Sequence, residues 1–185
     1  MKIAIDLDMV LVDHVPYWKN VCNEHGFAYS PPATWDFNNY HPMVRDKIIE
    51  DYTNKDCKVI TTQFPIYPGV IGTIETLHNQ GHVLFIVTSR KDNIINLMYI
   101  VENFPCINTV YLLGIGAHKE NFINNLQFDL WVDDYPVGYG LITDCRVLLV
   151  SNNSTPYNYH MRKDITHIKS FNEVSLVHVL RACSN

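Results

Sequence analysis

Short apolar runs alternate with helix-period segments along most of this chain. The first run, residues 3–7, ends in carboxylates, which is typical of a buried parallel strand with polar residues at its carboxyl end. Four similar runs follow at 83–87, 109–113, 130–132 and 147–150. Strand and helix alternate at a rhythm that predicts an α/β fold, with a central parallel sheet flanked by helices.

Four helices are predicted between and after these strands. The first follows Pro68-Gly69, carries apolar residues on one face and ends near Gly81, where a glycine suits a helix terminus. Asp92 is predicted to cap the second, whose apolar side chains cover much of its circumference, so we expect that helix to be well buried. Residues 119–126 and 172–181 supply the other two.

One stretch departs from this rhythm. Residues 16–65 contain no convincing core strand and instead predict helices at 17–25 and 43–53, joined by a segment rich in proline and aromatic residues. We therefore expect an α/β core formed by 1–15 and 66–185, with a small helical cap, 16–65, inserted after strand 1. The aromatic residues of that cap are Tyr17, Trp18, Phe27, Tyr29, Trp35, Phe37 and Tyr40.

Composition narrows the function. A chain of 185 residues with only 18% charged residues is not intrinsically disordered, and its formal net charge of −5 argues against a nucleic-acid polymer as partner. No apolar run approaches the roughly 20 residues that span a membrane. The start, MKIAIDLDMVLVD, is interpreted as a strand and not as a signal peptide. Five scattered cysteines without a CxxC motif predict reduced thiols, so we expect a soluble cytoplasmic protein.

Candidate chemistry falls at successive strand ends, which meet at one edge of a parallel sheet. The residues are Asp6 and Asp8 after strand 1, Thr88, Ser89 and Arg90 after strand 2, Lys119 after strand 3, and Asp133 and Asp134 after strand 4. Taken singly, each feature has a structural explanation: a loop cap, a helix cap or a solvated lysine. Their occurrence in this order favours a site.

So many carboxylates at one place require a counter-ion, and Mg²⁺ prefers carboxylate, water and phosphate oxygens. One aspartate of a close pair can act as an ionised nucleophile and the other as a proton donor. A lysine and two hydroxyl groups would supply positive charge and hydrogen-bond donors for a phosphoryl group.

These motifs carry a family resemblance. IAIDLDMVLVD resembles the first motif of the haloacid dehalogenase-like (HAD) hydrolases, LFIVTSR resembles the second, Lys119 is similar to the third-motif lysine, and LWVDD resembles the acidic fourth. Together they span residues 3–134. Asp13 and the cap position are similar to the 5′(3′)-deoxyribonucleotidases, the cytosolic type C 5′-nucleotidases. That group often has glycine after the second aspartate, where this chain has Met9.

The resemblance implies a HAD-like Rossmannoid core and a Mg²⁺-dependent phosphomonoester hydrolase. Asp6 would be the nucleophile that forms an aspartyl-phosphate, and Asp8 the general acid and base. Asp6, the Asp8 backbone carbonyl, Asp133 and Asp134 would bind Mg²⁺. Thr88, Ser89 and Lys119 would bind phosphate.

A nucleoside monophosphate is the expected substrate, because aromatic side chains can stack on a base. Trp35, Phe37, Trp18 and Arg90 are the candidate substrate contacts, although the aromatic residues could equally form the core of the cap. Two alternatives stay open: a phosphatase for another small ester such as a sugar phosphate, and a catalytically weak nucleotide-binding member. A homodimer also stays open.

Overall fold

Six parallel strands form the centre of the protein in a computed structural model that describes residues 1–34, 36–53, 64–135, 141–142, 145–156 and 165–174. In chain order they are β1 (Lys2–Ile5), β2 (Val83–Thr88), β3 (Thr109–Leu112), β4 (Leu130–Asp133), β5 (Arg146–Val150) and β6 (Thr166–Ile168). They lie in the order β3-β2-β1-β4-β5-β6. Every neighbouring pair is parallel, which confirms the predicted parallel sheet.

The sheet is covered on both faces. Successive residues of a strand point to opposite sides, so neighbours in the sequence pack in different apolar clusters. Ile3 and Ile5 of β1 belong to a large apolar cluster on one face, whereas Ala4 belongs to a second cluster on the other. The same alternation places Val132 in the first cluster and Trp131 in the second. The near-continuous apolar runs of the sequence therefore reflect a sheet covered on both sides.

In the part of the chain that the structure describes, three helices join the core strands. They are α3 (Val70–Asn79), α4 (Ile94–Asn103) and α5 (Lys119–Leu126). Ile74 of α3 and Ile100 of α4 pack in the larger cluster, and Ile123 of α5 packs in the smaller one. Helix α5 has the predicted bounds, and α3 ends just before Gly81, whose φ of 80° suits a glycine after a helix.

Within the described residues, two further helices lie between β1 and α3 in the chain. They are α1 (Val15–Glu24), which has a proline in its first turn, and α2 (Pro42–Thr53). They pack on each other, and a Tyr17 hydroxyl on α1 donates to the Asp51 carboxylate on α2 at 2.5 Å. Val21 and Ile48 are buried in the same cluster as one face of the sheet. The predicted helices of this insertion are therefore present, with α1 beginning two residues earlier than predicted.

Helix α4 differs from its prediction in two respects. Its cap is Asn93, whose side chain accepts a hydrogen bond from the Asn96 amide, and not Asp92. It is also only partly buried. Four apolar side chains at helical spacing are exposed: Ile94 (65%), Leu97 (38%), Met98 (51%) and Val101 (57%). The reason is position, because α4 leads to β3 at the end of the described sheet and only one side of the helix meets the core.

Three further outcomes concern the C-terminal elements, the cysteines and the search for membrane-spanning helices. Strand β6 was not predicted, and the start of the predicted helix 172–181 is instead a 3-10 turn, Phe171–Glu173; residues 175–181 lie outside the described part. Cys22, Cys106 and Cys145 are free thiols, while Cys57 and Cys183 also lie outside it. Within the described residues, we find no helix that is both long and apolar enough to cross a membrane.

Candidate active site

Two strand ends and one helix start bring acidic and basic side chains together. Asp6 directly follows β1, and its amide donates to the Val132 carbonyl at 2.8 Å, so it continues the pairing of β1 with β4. Asp133 is the last residue of β4, and Lys119 is the first residue of α5. Because β4 neighbours β1, the carboxylates of Asp6 and Asp133 meet at one edge of the sheet.

Lys119 joins the two carboxylates. Its Nζ lies 2.6 Å from Asp6 Oδ1 and 3.0 Å from Asp133 Oδ2, and both aspartates are almost fully buried. Burial opposes the charged lysine, but Asp133 and Asp6 raise its pKa above the ordinary value, so the ammonium keeps its charge. Burial raises the pKa of Asp6 to about 7, with Lys119 opposing the shift and Asp133 and Asp8 adding to it.

The same edge of the sheet suits a cation. Asp6, Asp133 and Asp134 are all buried, and each offers a carboxylate oxygen within 4.8 Å of the others. These three buried carboxylates, two of which contact Lys119, carry more negative charge than one lysine offsets, and a hard divalent ion such as Mg²⁺ would neutralise the excess with ligands of the kind it prefers. An ion held there would also stabilise the ionised form of Asp6 and lower its pKa.

The Asp8 side chain lies in a different environment from this cluster. Arg90 donates to it through Nε, 3.0 Å from Oδ1 and 3.1 Å from Oδ2, and through Nη2, 2.6 Å from Oδ1. His14 Nε2 lies 2.7 Å from the same Oδ1. Burial alone would raise the pKa of Asp8, but Arg90 and His14 together hold it well below the usual range. The carboxylate is therefore fixed and ionised.

Met9 occupies a position that favours glycine. It is fully buried and has a φ of 62°, in the left-handed region that side chains other than glycine seldom adopt. The turn is held by a hydrogen bond from the Met9 amide to the Val12 carbonyl at 2.9 Å. The departure from glycine at this position therefore keeps the left-handed backbone and adds a buried side chain.

Thr88, Ser89 and Arg90 follow β2, which pairs with β1 on its other side. Thr88 is fully buried, and its Oγ1 accepts a hydrogen bond from the Arg90 amide at 3.3 Å, so its own hydroxyl hydrogen is free to donate. Ser89 is half-buried at the sheet edge.

Arg90 was also predicted to contact substrate, and in the structure its guanidinium binds Asp8. Its Nε and Nη2 are committed to Asp8, and its buried Nη1 has no hydrogen-bond partner among the described residues. The guanidinium also lies over the rings of Phe64 (5.7 Å) and Tyr99 (5.4 Å).

Trp18 and Phe37 were predicted to contact substrate, and the structure buries both of them inside the insertion. Trp18 is fully buried, Phe37 is 4% exposed, and their rings pack edge to face at 5.3 Å inside the insertion. They form the core of the α1–α2 pair because a small helical unit needs large apolar side chains to exclude water. Trp35, the third candidate, lies outside the described residues.

His14 and Tyr52 were not found by sequence reasoning. His14 immediately precedes α1 and Tyr52 lies near the end of α2, yet they meet at 2.5 Å between His14 Nδ1 and Tyr52 Oη. A separation of 38 positions follows no motif spacing. The available signal was the position of His14 next to Asp13, at the end of the first motif.

Comparison with known proteins supports the fold. No family model matches the chain. A protein of Oceanobacillus iheyensis named "Putative nucleotidase OB0422" is 24% identical over 173 residues, which cover 83% of this chain and 88% of that protein.

Solved structures resemble the whole chain. A HAD family hydrolase from Deinococcus radiodurans with bound phosphate and sodium has a TM-score of 0.64 and 16% identity, covering 98% of this chain and 96% of that one. A HAD hydrolase from Entamoeba histolytica has a TM-score of 0.62 and 14% identity, covering 100% and 99%. A "predicted phosphatase" from Clostridium acetobutylicum has a TM-score of 0.60 and 16% identity, covering 97% and 98%. The fold is that of the haloacid dehalogenase-like hydrolases, as the motifs implied.

Proposed function

We propose that this protein is a Mg²⁺-dependent phosphomonoester hydrolase. The observation that carries the proposal is the buried group of Asp6, Lys119 and Asp133 at the edge of the sheet, with Asp8 two residues from Asp6. Burying a carboxylate does not improve packing. Two buried carboxylates beside one lysine therefore indicate a functional site, and the lysine gives it a positive group that can bind an anion.

In the first half-reaction, Asp6 is the nucleophile. An Oδ of Asp6 attacks phosphorus and the bond from phosphorus to the leaving oxygen breaks, so the leaving oxygen takes the electron pair and a proton from Asp8. Lys119 and the Thr88 hydroxyl stabilise the charge on the phosphoryl oxygens. The bound Mg²⁺ would neutralise negative charge around the phosphoryl group.

In the second half-reaction, Asp8 takes a proton from water as that water attacks the phosphorus of the aspartyl-phosphate, and the bond from phosphorus to Asp6 breaks. Arg90 and His14 favour the ionised form of Asp8 that this step requires. The first half-reaction needs a proton on Asp8. A phosphate monoester that binds as its monoanion can deliver it, since the second pKa of a phosphate ester is about 6.

A nucleoside monophosphate is the proposed substrate class. Support comes from the Oceanobacillus iheyensis relative, whose name describes a nucleotidase. The cap supplies less support than expected, because Trp18 and Phe37 are buried and Trp35 is the remaining aromatic candidate. If Trp35 stacks on the base, Trp35→Ala raises the KM for a nucleotide more than for a small generic ester.

Another small phosphate ester, such as a sugar phosphate, is the alternative substrate class, and one structural neighbour, from Haemophilus somnus, is described as a predicted phosphoglycolate phosphatase. A phosphate-release screen over nucleoside monophosphates and sugar phosphates, with and without Mg²⁺, separates the two. Turnover of nucleotides that requires Mg²⁺ supports the proposal. No turnover of any ester by the folded protein favours the nucleotide-binding alternative instead.

The homodimer remains a prediction. The apolar stripe on α4 is a surface on which a second copy could pack, and sedimentation equilibrium measures the oligomeric state directly.

The division of the chain into a core of 1–15 and 66–185 and a cap of 16–65 likewise remains a proposal. The packing of α1 on α2 supports it.

A further inference from the structure

A chain of hydrogen bonds connects Asp8 to the helical insertion. Asp8 Oδ1 lies 2.7 Å from His14 Nε2, His14 Nδ1 lies 2.5 Å from Tyr52 Oη, and Trp18 Nε1 donates to the same Oη at 2.9 Å. Trp18 belongs to α1 and Tyr52 to α2, so the chain reaches both helices. We call Trp18, Tyr52, His14 and Asp8 the relay.

The relay has one consistent direction. The indole nitrogen of Trp18 can only donate, so Tyr52 Oη accepts from it and directs its own hydrogen to His14 Nδ1. With Nδ1 accepting, the neutral imidazole carries its hydrogen on Nε2 and donates it to Asp8. Every polar hydrogen in the relay is then used once, and the tautomer of His14 is set by its neighbours.

Packing also fixes the orientation of the His14 ring. The ring is 2% exposed and stacks on Phe64, with centroids 3.8 Å apart and planes 17° apart. Tyr52 lies on it at 5.6 Å and Trp18 meets it edge-on at 5.7 Å. A ring held on several sides can hold its hydrogen-bond partner in one place.

The two oxygens of Asp8 are consequently unequal. Oδ1 receives three donors, which are His14 Nε2, Arg90 Nη2 and Arg90 Nε. Oδ2 receives Arg90 Nε at 3.1 Å, its one donor among the described residues. The side chain of Asp8 is 17% exposed, against 6% for Asp6, so Asp8 retains access to the site.

We propose that His14 is a positioning residue, locked in its Nε2–H tautomer by Tyr52 and Trp18, which immobilises Oδ1 of Asp8 so that Oδ2 exchanges the proton with the leaving group and with water. This inference rests on the proposed function, because it assigns a task to Asp8 as general acid and base. It also gives the insertion a part in catalysis, since two of the four members of the relay lie on α1 and α2.

The variant that tests the proposal is Tyr52→Phe, which keeps the ring on His14 and removes the hydrogen-bonding hydroxyl. The measured quantity is kcat/KM, which covers the steps up to departure of the alcohol. Thymidine 5′-monophosphate has an alkyl leaving group that needs a proton, whereas p-nitrophenyl phosphate has one that departs without it. We expect kcat/KM to fall about tenfold for the nucleotide and to stay within about twofold for the aryl ester.

Tyr17→Phe is the matched control. It removes a hydroxyl from α1 that donates to Asp51 and is not part of the relay, so both kcat/KM values should match the wild type. An equal fall for the two esters in Tyr52→Phe overturns the proposal, because loss of packing does not distinguish leaving groups. Unchanged values for both esters also overturn it. If Tyr52→Phe does not fold, His14→Gln undergoes the same comparison.

The tautomer is tested separately on the wild-type protein. A long-range ¹H–¹⁵N spectrum of histidine-labelled protein, with the His14 signals assigned from His14→Gln, should show a neutral ring protonated at Nε2. A ring protonated at Nδ1, or at both nitrogens, at neutral pH overturns the relay. Failure of the wild type to hydrolyse either ester is a different result, since it contradicts the proposed function while the spectrum still tests the relay.

Discussion

Two aspartates only two positions apart in the chain lie in opposite electrostatic environments. Asp6 lies among other carboxylates, and burial together with Asp133 and Asp8 raises its pKa, against the opposing effect of Lys119. Asp8 lies between a guanidinium and an imidazole, which lower its pKa despite burial. Without a metal these shifts are the reverse of what an ionised nucleophile and a proton donor need, so the proposed reaction depends on a cation that lowers the pKa of Asp6 and on a substrate that brings a proton to Asp8.

At the residue scale, Asp6→Asn should abolish turnover and leave the fold intact. Burial raises the pKa of Asp6 from 3.8 to about 7 in the folded protein. The contribution of Asp6 to the free energy of unfolding is therefore complete at low pH and is lost as the pH rises through about 7. Without metal, the variant should therefore melt no lower than the wild type near pH 8. Phosphate release and thermal unfolding measure the two effects.

The matched control for this variant is Asp129→Asn. Asp129 is exposed and accepts a hydrogen bond from the Lys2 amide at 2.6 Å, at the opposite end of the strands from the site. Turnover should be unchanged in that variant. Wild-type turnover in Asp6→Asn would remove Asp6 from the nucleophile role.

A second residue-scale prediction concerns Met9→Gly. Glycine would relieve a left-handed backbone that costs about 1 kcal/mol for other residues. It would also remove a fully buried side chain, which costs about 2–5 kcal/mol. Because the second effect is larger, we expect a net loss of about 1–4 kcal/mol in the free energy of unfolding, measured by urea denaturation. A more stable variant would show that backbone strain dominates at this turn.

At the element scale, the cap of α4 gives a direct comparison between adjacent residues. Asn93→Ala removes the side chain that accepts from the Asn96 amide at 2.8 Å and should lower the free energy of unfolding by about 1 kcal/mol. Asp92→Ala, at the exposed neighbouring position, should change it by less than about 0.5 kcal/mol. The reverse order in urea denaturation would assign the cap to Asp92.

The sequence predicted most elements because apolar runs identify buried strands. The start and end of β2 and β4 agree with their predictions to within one residue, since each is bounded by polar residues. Strand β6 was missed because its three residues include Thr166 and His167, which form no apolar run. Burial of α4 was overestimated because periodicity does not distinguish a helix at the edge of a sheet from one at its centre.

For the site, the sequence indicated which strand-end residues meet but not which side chains pair across distant elements. Convergence of Asp6, Asp133 and Lys119 follows from strand order, which the motif order implies. Contacts between distant elements do not follow from it. The pairing of Asp8 with Arg90 spans 82 positions and that of His14 with Tyr52 spans 38, and both depend on side-chain packing.

At the scale of the whole molecule, the net charge of −5 and the binding of an anion are compatible because charge is distributed locally. Lys119 and the proposed Mg²⁺ would together reverse the sign of the potential at the sheet edge, where the phosphoryl group would lie. The acidic residues that make the chain negative are in part the groups that would hold the cation.

The binding of Mg²⁺ should therefore depend on pH. Below about pH 7 the metal must displace a proton from Asp6, so the apparent affinity should rise about tenfold per pH unit up to about pH 7 and then level off. Isothermal titration calorimetry in buffers of different ionisation enthalpy measures both the affinity and the released proton. Asp6→Asn should lose this dependence, and equal wild-type affinities near pH 6 and pH 8 would contradict the environment described for Asp6.

Trapping the covalent intermediate is the most direct test of whether Asp6 carries the phosphoryl group. In Asp8→Asn with p-nitrophenyl phosphate, the leaving group departs unaided while hydrolysis lacks its base, so the aspartyl-phosphate should accumulate. Rapid acid quench, borohydride reduction and peptide mass mapping should then find homoserine at position 6 only when substrate and Mg²⁺ are present. Release of p-nitrophenol without modification at Asp6, or with modification at another residue, would contradict the account.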